Sequence, residues 1–381
     1  MKQKTERIGV PRMILLFISV VLACFILAGT VATVNKEIIY SGSVGSTIEN
    51  LPTQWLQQLV GMENHYWSDG NQSSEILSMG FEFFTNIRID DIRTLIGNEL
   101  PGYAFFDSEI VVPGDGTDFS SLPYESAPPL DVLLQEREMA DEQLEELNRG
   151  SNSNDPPVSS PSDKNVFVYH SHSWESYLPL LGLPDDADEN KAVDAKTNIT
   201  LIGDLLGKEL EQRGVGALVD KSNIGQLLKE KEWTTGKSYD VSRSIVEAAQ
   251  SGNKNLQYFI DIHRDSQRKK LTTATVNGKS YARLAFVLGK ENGNYEKNLA
   301  FATELHEALN KKYPGLSRGI IAKYGEGVNG VYNQDLSPNL LVVEVGGVDN
   351  DMKELKNSIA ALADVISEYY WKAEKVDGES E

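Results

Sequence analysis

Apolar positions along the C-terminal half of the chain alternate between two periods. Short β-branched and aromatic runs at 166–169, 215–219, 256–262, 320–324 and 340–345 predict strands. Between them the spacing changes to three and four. Leu201, Ile202, Leu205, Leu206 and Leu210 form one stripe and predict a helix over 200–212, stopped by Arg213-Gly214. Helices are likewise predicted over 242–249, 295–312 and 352–371, the last with Leu355, Ile359, Leu362, Ile366 and Tyr370 on one face. Asn277-Gly278 predicts a hairpin turn between 271–276 and 282–288. Strands alternating with helices imply an α/β fold, a mostly parallel sheet flanked by helices, over residues 165–373.

The N-terminal pattern differs. Residues 13–34 form a run of mostly apolar residues with no charge, long enough to cross a bilayer as a helix. Lys2, Lys4, Arg7 and Arg12 precede it, which puts residues 1–12 in the cytoplasm and the rest of the chain outside. The small residues of Ala28-Gly-Thr-Val-Ala32 offer a rival reading as a cleaved signal peptide, but the apolar run exceeds the usual length of about 7–15. Residues 35–128 carry aromatics such as Trp55, Phe81 and Phe105, which suggest a small packed membrane-proximal unit, with a partner-binding surface as the alternative. Residues 129–164 read as a linker: an acidic, solvated helix over 131–147, then a Ser/Pro/Asn-rich stretch.

Charge and composition narrow the chemistry. A net charge of -20 argues against a nucleic-acid binder. Cys24, the only cysteine, lies in the apolar run, so no disulfide or cysteine-ligated metal is available to the rest. Any metal must be held by histidine and carboxylate. Three of the five histidines stand at predicted strand ends. Val166-Phe-Val-Tyr-His-Ser-His-Ser-Trp-Glu175 supplies His170, His172 and Glu175. Asp261-Ile-His-Arg264 supplies His263 and Arg264. Val343-Glu-Val-Gly-Gly347 supplies Glu344. In open α/β sheets chemistry sits beyond the carboxyl ends of strands. The inventory is that of a catalytic zinc site: His172, Glu175 and His263 as ligands, an open position, and Glu344 as the base. His170 is an alternative ligand or supports one. Arg264 binds a substrate carboxylate or, more simply, pairs with Asp261 or Asp265. His65 is structural or exposed, and His306, between Glu304 and Glu307 in a helix, is expected to be exposed. No phosphate-binding loop and no Gly-x-Ser-x-Gly elbow is present.

These motifs, with Asn198-Ile-Thr-Leu-Ile-Gly203 and Leu100-Pro-Gly-Tyr103, resemble the stage II sporulation protein P family, membrane-anchored cell-wall hydrolases of endospore formers. The family is similar in fold to zinc-dependent N-acetylmuramoyl-L-alanine amidases. The resemblance implies cleavage of the amide between stem peptide and glycan in peptidoglycan, cleavage of peptide cross-links, and work in engulfment with stage II sporulation proteins D and M. It places the first ligand at His172 rather than His170, the third at His263 and the base at Glu344. Amidases carry their second ligand at the head of the first helix, where this chain has Asp194; Glu175 and Asp194 both fit that place, and the His172-x-x-Glu175 turn favours Glu175. The rivals are a zinc carboxypeptidase-like enzyme, with Arg264 holding the terminal carboxylate, and a non-catalytic wall-binding scaffold.

Overall fold

A computed structural model of the chain describes residues 108–124, 128–149, 161–325 and 328–378. The apolar run at 13–34, His65, the region up to 107 and the stretch at 150–160 lie outside the described residues, so the transmembrane reading rests on sequence. Among the described residues no helix is long and apolar enough to cross a membrane.

The strands are β1 (Ser108–Pro113), β2 (Val166–Tyr169), β3 (Ala217–Val219), β4 (Tyr258–Asp265), β5 (Thr273–Val276), β6 (Lys279–Ala282), β7 (Leu284–Gly289), β8 (Ser317–Lys323) and β9 (Leu340–Gly347). The helices are α1 (Leu130–Leu133), α2 (Asp141–Asn148), α3 (Thr200–Gln212), α4 (Ile224–Glu230), α5 (Ser238–Gly252), α6 (Lys269–Thr272), α7 (Tyr295–Lys312) and α8 (Met352–Gly378). Seven strands form one sheet in the order β1-β8-β7-β9-β4-β2-β3. β3, β2, β4 and β9 run parallel. β7 turns against β9, β8 follows β7, and β1 turns again at the edge. The fold is α/β with a mixed, mostly parallel sheet.

The parallel strands read as unbroken apolar runs because both of their faces are covered. Val166 and Val168 pack into the main core with Ile202, Leu206 and Leu210 of α3 and Leu355, Ile359 and Leu362 of α8. Phe167 and Tyr169, one residue out of step, face Val246 of α5 with Phe259 and Leu340. The predicted hairpin is shorter than expected. Asn277-Gly278 joins β5 only to β6, and the run after Ala282 leaves as β7 to fill the gap between β8 and β9.

The expected boundary at residue 165 falls too late. β1, in the stretch read as membrane-proximal, pairs with β8. The acidic helix over 131–147 is two short helices, because the intervening chain turns down onto the domain. Leu133 is fully buried beside Trp174 and Leu228, Met139 and Leu147 touch the main core, and the Ala140 amide donates to Leu180 O at 2.9 Å. The acidic face of α2 does stay in solvent, since none of its residues is buried.

Candidate metal centre

β9, β4 and β2 are neighbours, and their carboxyl ends deliver the candidate residues to one place. Period two puts Asp261 and His263 on the same face of β4. Glu344 is the register partner of His263 on β9, roughly 4.8 Å across the sheet, and both are buried. β2 gives way after Tyr169 to a tight turn in which the Glu175 amide donates to His172 O at 3.0 Å. The turn is pinned from the far side: the Asp194 amide donates to Trp174 O at 2.8 Å and the Ile199 amide to Glu175 O at 2.7 Å.

Glu175 stands between the two imidazoles. Its Oε1 is 3.4 Å from His172 Nδ1 and its Oε2 is 3.7 Å from His263 Nδ1. One ligand atom from each of the three residues lies within 4.8 Å of the other two. Zinc bonds of about 2.0–2.1 Å put tetrahedral neighbours about 3.4 Å apart, so these edges suit such an ion. The nitrogens that face away have close polar neighbours. His172 Nε2 lies 3.0 Å from Ser238 Oγ, and His263 Nε2 lies 3.1 Å from Asp261 Oδ1. Asp261 accepts from the Ser171 amide at 2.8 Å and from its hydroxyl at 2.6 Å. The Arg264 amide donates to Glu175 Oε2 at 2.8 Å. Outer groups of this kind fix ring orientation in metal sites.

The charges point the same way. Burial alone would raise the Glu175 carboxyl, but His263, with hydrogen bonds from both imidazoles, holds it far below the usual carboxylate range. Burial would lower His263, but the carboxylates of Asp261 and Glu175 hold it well above the ordinary histidine value. The two carboxylates thus favour positive charge beside them.

Other sequence candidates lie elsewhere. His170 continues the Val166–Val168 face toward α3, with Nδ1 3.1 Å from Asp220 O and Nε2 against Gly203, where an added Cβ would stand 2.2 Å away. Burial pushes its pKa down to about 4, so it is a neutral packing residue. Asp194 Oδ1 accepts from the amides of Lys196 and Thr197, both at 2.8 Å, and serves the turn rather than the cluster. Arg264 is a correction: its fully buried guanidinium donates to Ala192 O at 3.1 Å, Ser266 Oγ at 3.2 Å and Asp265 O at 3.3 Å. It contacts neither solvent nor the Asp261 carboxylate, and the Asp265 carboxylate pairs with Arg318 instead. His306 is buried, not exposed, between Ser317 Oγ at 2.7 Å and Asn310 Nδ2 at 2.8 Å. Sequence reasoning passed over three neighbours of the centre. Trp174 stacks on His172 with centroids 5.0 Å apart, and Tyr239 stacks on His263 at 6.1 Å and meets His172 edge-on at 5.4 Å. Ser238 is the third. The signal for Ser238 and Tyr239 was present but lay just before the predicted start of that helix at 242.

The model of the stage II sporulation protein P family matches residues 90–367. The chain is also 45% identical over 375 residues to stage II sporulation protein P of Bacillus subtilis (strain 168), covering 96% of this chain and 93% of that protein. This chain belongs to the stage II sporulation protein P family. The family match takes in β1, α1 and α2, in keeping with a domain that starts well before residue 165. Two solved structures show weak likeness, each 12% identical and covering 55% of this chain. They are Cwp6 from Clostridium difficile, with a TM-score of 0.32 over 30% of its own length, and a metallo-carboxypeptidase from Burkholderia cenocepacia, with a TM-score of 0.31 over 58%. Likeness at this level assigns neither fold nor activity.

Proposed function

We propose that this sporulation protein is a membrane-anchored, zinc-dependent peptidoglycan hydrolase: an N-acetylmuramoyl-L-alanine amidase that frees stem peptide from glycan, and an endopeptidase that cuts cross-links during engulfment, beside stage II sporulation proteins D and M. The observation that carries the reading is the convergence of His172, Glu175 and His263, with ligand atoms within 4.8 Å of one another.

Those three residues would hold the metal. A bound zinc ion polarises the amide carbonyl and makes nearby water more acidic. The chain's own groups do the rest. Glu344, beside His263, takes a proton from the attacking water as the C–O bond forms, and returns it to the amide nitrogen as the C–N bond breaks. The products are a carboxylic acid and an amine. His172 is the most exposed of the three ligands, at 8%, so substrate approaches from its side. Trp174 and Tyr239 wall the centre and keep it dry. The carboxypeptidase-like alternative needs an arginine for the terminal carboxylate, and the buried Arg264 does not supply one.

The test uses the full chain in detergent micelles, with His263→Ala beside wild type, and measures zinc content and muropeptide release. About one zinc per chain, with free stem peptides and glycan released, both lost in the variant, is the expected result. A metal-free protein that binds cell wall and releases nothing would leave the scaffold reading in its place.

A further inference from the structure

Helix α5 begins with an unusual first turn. Its apolar face, Val241 and Val246, packs into the domain, yet two serines four residues apart on the helix, Ser238 and Ser242, are each 1% exposed. Buried serines in helices commonly satisfy themselves on the carbonyl one turn back. Ser238 is the first residue of α5, and its Oγ is 3.0 Å from His172 Nε2. Ser242 does reach Tyr239 O at 3.2 Å, but its shorter contact is with Ser171 Oγ at 2.7 Å. The donors along that contact can be assigned. Ser171 has one hydroxyl hydrogen, which goes to Asp261 Oδ2 at 2.6 Å because a carboxylate only accepts. In that contact Ser242 is then the donor, its one hydrogen divided between Ser171 Oγ and Tyr239 O, and it accepts from Asn333 Nδ2 at 3.0 Å. Asp261 Oδ1 lies 3.1 Å from His263 Nε2.

We propose that Ser238 and Ser242 are positioning residues through which the first turn of α5 orients both histidine ligands, Ser238 directly on His172 and Ser242 through Ser171 and Asp261 on His263. The proposal rests on the metal reading above. With Nδ1 of each imidazole turned to Glu175 and a metal held there, His172 Nε2 would carry a proton toward Ser238 Oγ, while the Asp261 carboxylate stands 3.1 Å from His263 Nε2 and holds that ring by its charge. One helix turn thereby bears on two ligands that are 91 positions apart in the chain.

The test is zinc affinity, measured by chelator competition on the full chain in micelles, with the melting temperature of each metal-free protein recorded alongside. The variants are Ser238→Ala, Ser242→Ala, Ser238→Thr and, as a buried serine remote from the centre, Ser358→Ala, whose hydroxyl bonds Ala282 O at 2.6 Å. Ser238→Ala and Ser242→Ala are expected to weaken zinc binding about 10- to 100-fold. Ser238→Thr, which keeps the hydroxyl, stays near wild type, and Ser358→Ala lowers the melting temperature without changing zinc affinity. Wild-type affinity in both alanine variants overturns the proposal. So does an equal loss in Ser358→Ala, which would make the effect one of general stability. A wild-type chain that takes up no zinc gives a different result, overturning the metal reading and the proposal together.

Discussion

Glu175 and Glu344 both stand next to His263, and their surroundings give them different work. Glu175 is wedged between two imidazoles and fixed by the Arg264 amide, which leaves its oxygens aimed at the centre. Glu344 meets the centre from the neighbouring strand. Replacing Glu344 with glutamine keeps the shape and removes the base. Zinc content should stay at wild-type level while muropeptide release falls by at least about 10²-fold; full activity in Glu344→Gln would rule out that role. Away from the centre, Glu354 offers a test of pH dependence. Burial would raise its carboxyl, but hydrogen bonds from Asn350 and Ser280 and the Lys269 charge hold it below the ordinary value of 4.5. A carboxyl lowered by folding adds stability above its unfolded value, and that stability drains away as pH falls through the folded value. Glu354→Gln should therefore cost stability at pH 7 and narrow the gap to wild type in melts below about pH 4; a gap that persists unchanged in acid would contradict this. At this scale the motifs told which residues could meet: the ligand atoms of His172, Glu175 and His263 do come together, and Glu344 is the register partner of His263. What could not be read was direction: His170 follows the Val168 face toward α3, Asp194 is taken by backbone amides, and the Arg264 guanidinium turns inward to carbonyls.

The elements were legible where their pattern is local. The boundaries of α3 and α7 follow from apolar stripes with clear stops. β1 was not legible, because a six-residue edge strand partners β8 some two hundred positions later and nothing near it announces the pairing. The packing of the following segment decides how the protein can be dissected. Leu122 is buried on Ala285 and Ile321, and Leu133 beside Trp174. The Ser266 amide donates to Tyr124 O at 2.9 Å, and the Tyr124 amide to Asp265 Oδ1 at 3.1 Å, just past His263. Burying each leucine contributes about 1.5–3 kcal/mol, and removing β1 also bares the β8 edge. Together these approach the total stability of an ordinary domain, about 5–15 kcal/mol. A fragment of residues 165–381 should therefore aggregate or melt far below one of residues 108–381, as read by circular dichroism and size-exclusion chromatography. Equal melting temperatures and two monomers would mean that residues 108–149 only decorate the domain.

For the whole molecule the proposed membrane anchoring raises the matter of how a strongly acidic protein would stay at a membrane. A net charge of -20 disfavours adhesion to anionic lipid, and among the described residues no helix can cross a bilayer. On the proposed reading membrane association would fall to residues 13–34, which as a helix, at about 1.5 Å per residue, would match a hydrocarbon core of about 30 Å. The basic residues Lys2, Lys4, Arg7 and Arg12 would then orient it with the folded domain outside, where the proposed substrate lies. If this run is a retained anchor, the full chain should stay in the membrane pellet through a wash at about 1 M salt, which removes proteins held by charge alone. A chain starting at residue 35 should move to the soluble fraction and still release muropeptides in solution, because the three candidate ligands His172, Glu175 and His263 all lie beyond the run. The intact mass of the membrane-bound protein distinguishes the rival. A species lacking the residues up to Ala28-Gly-Thr-Val-Ala32 would identify the run as a cleaved signal and overturn the retained-anchor reading.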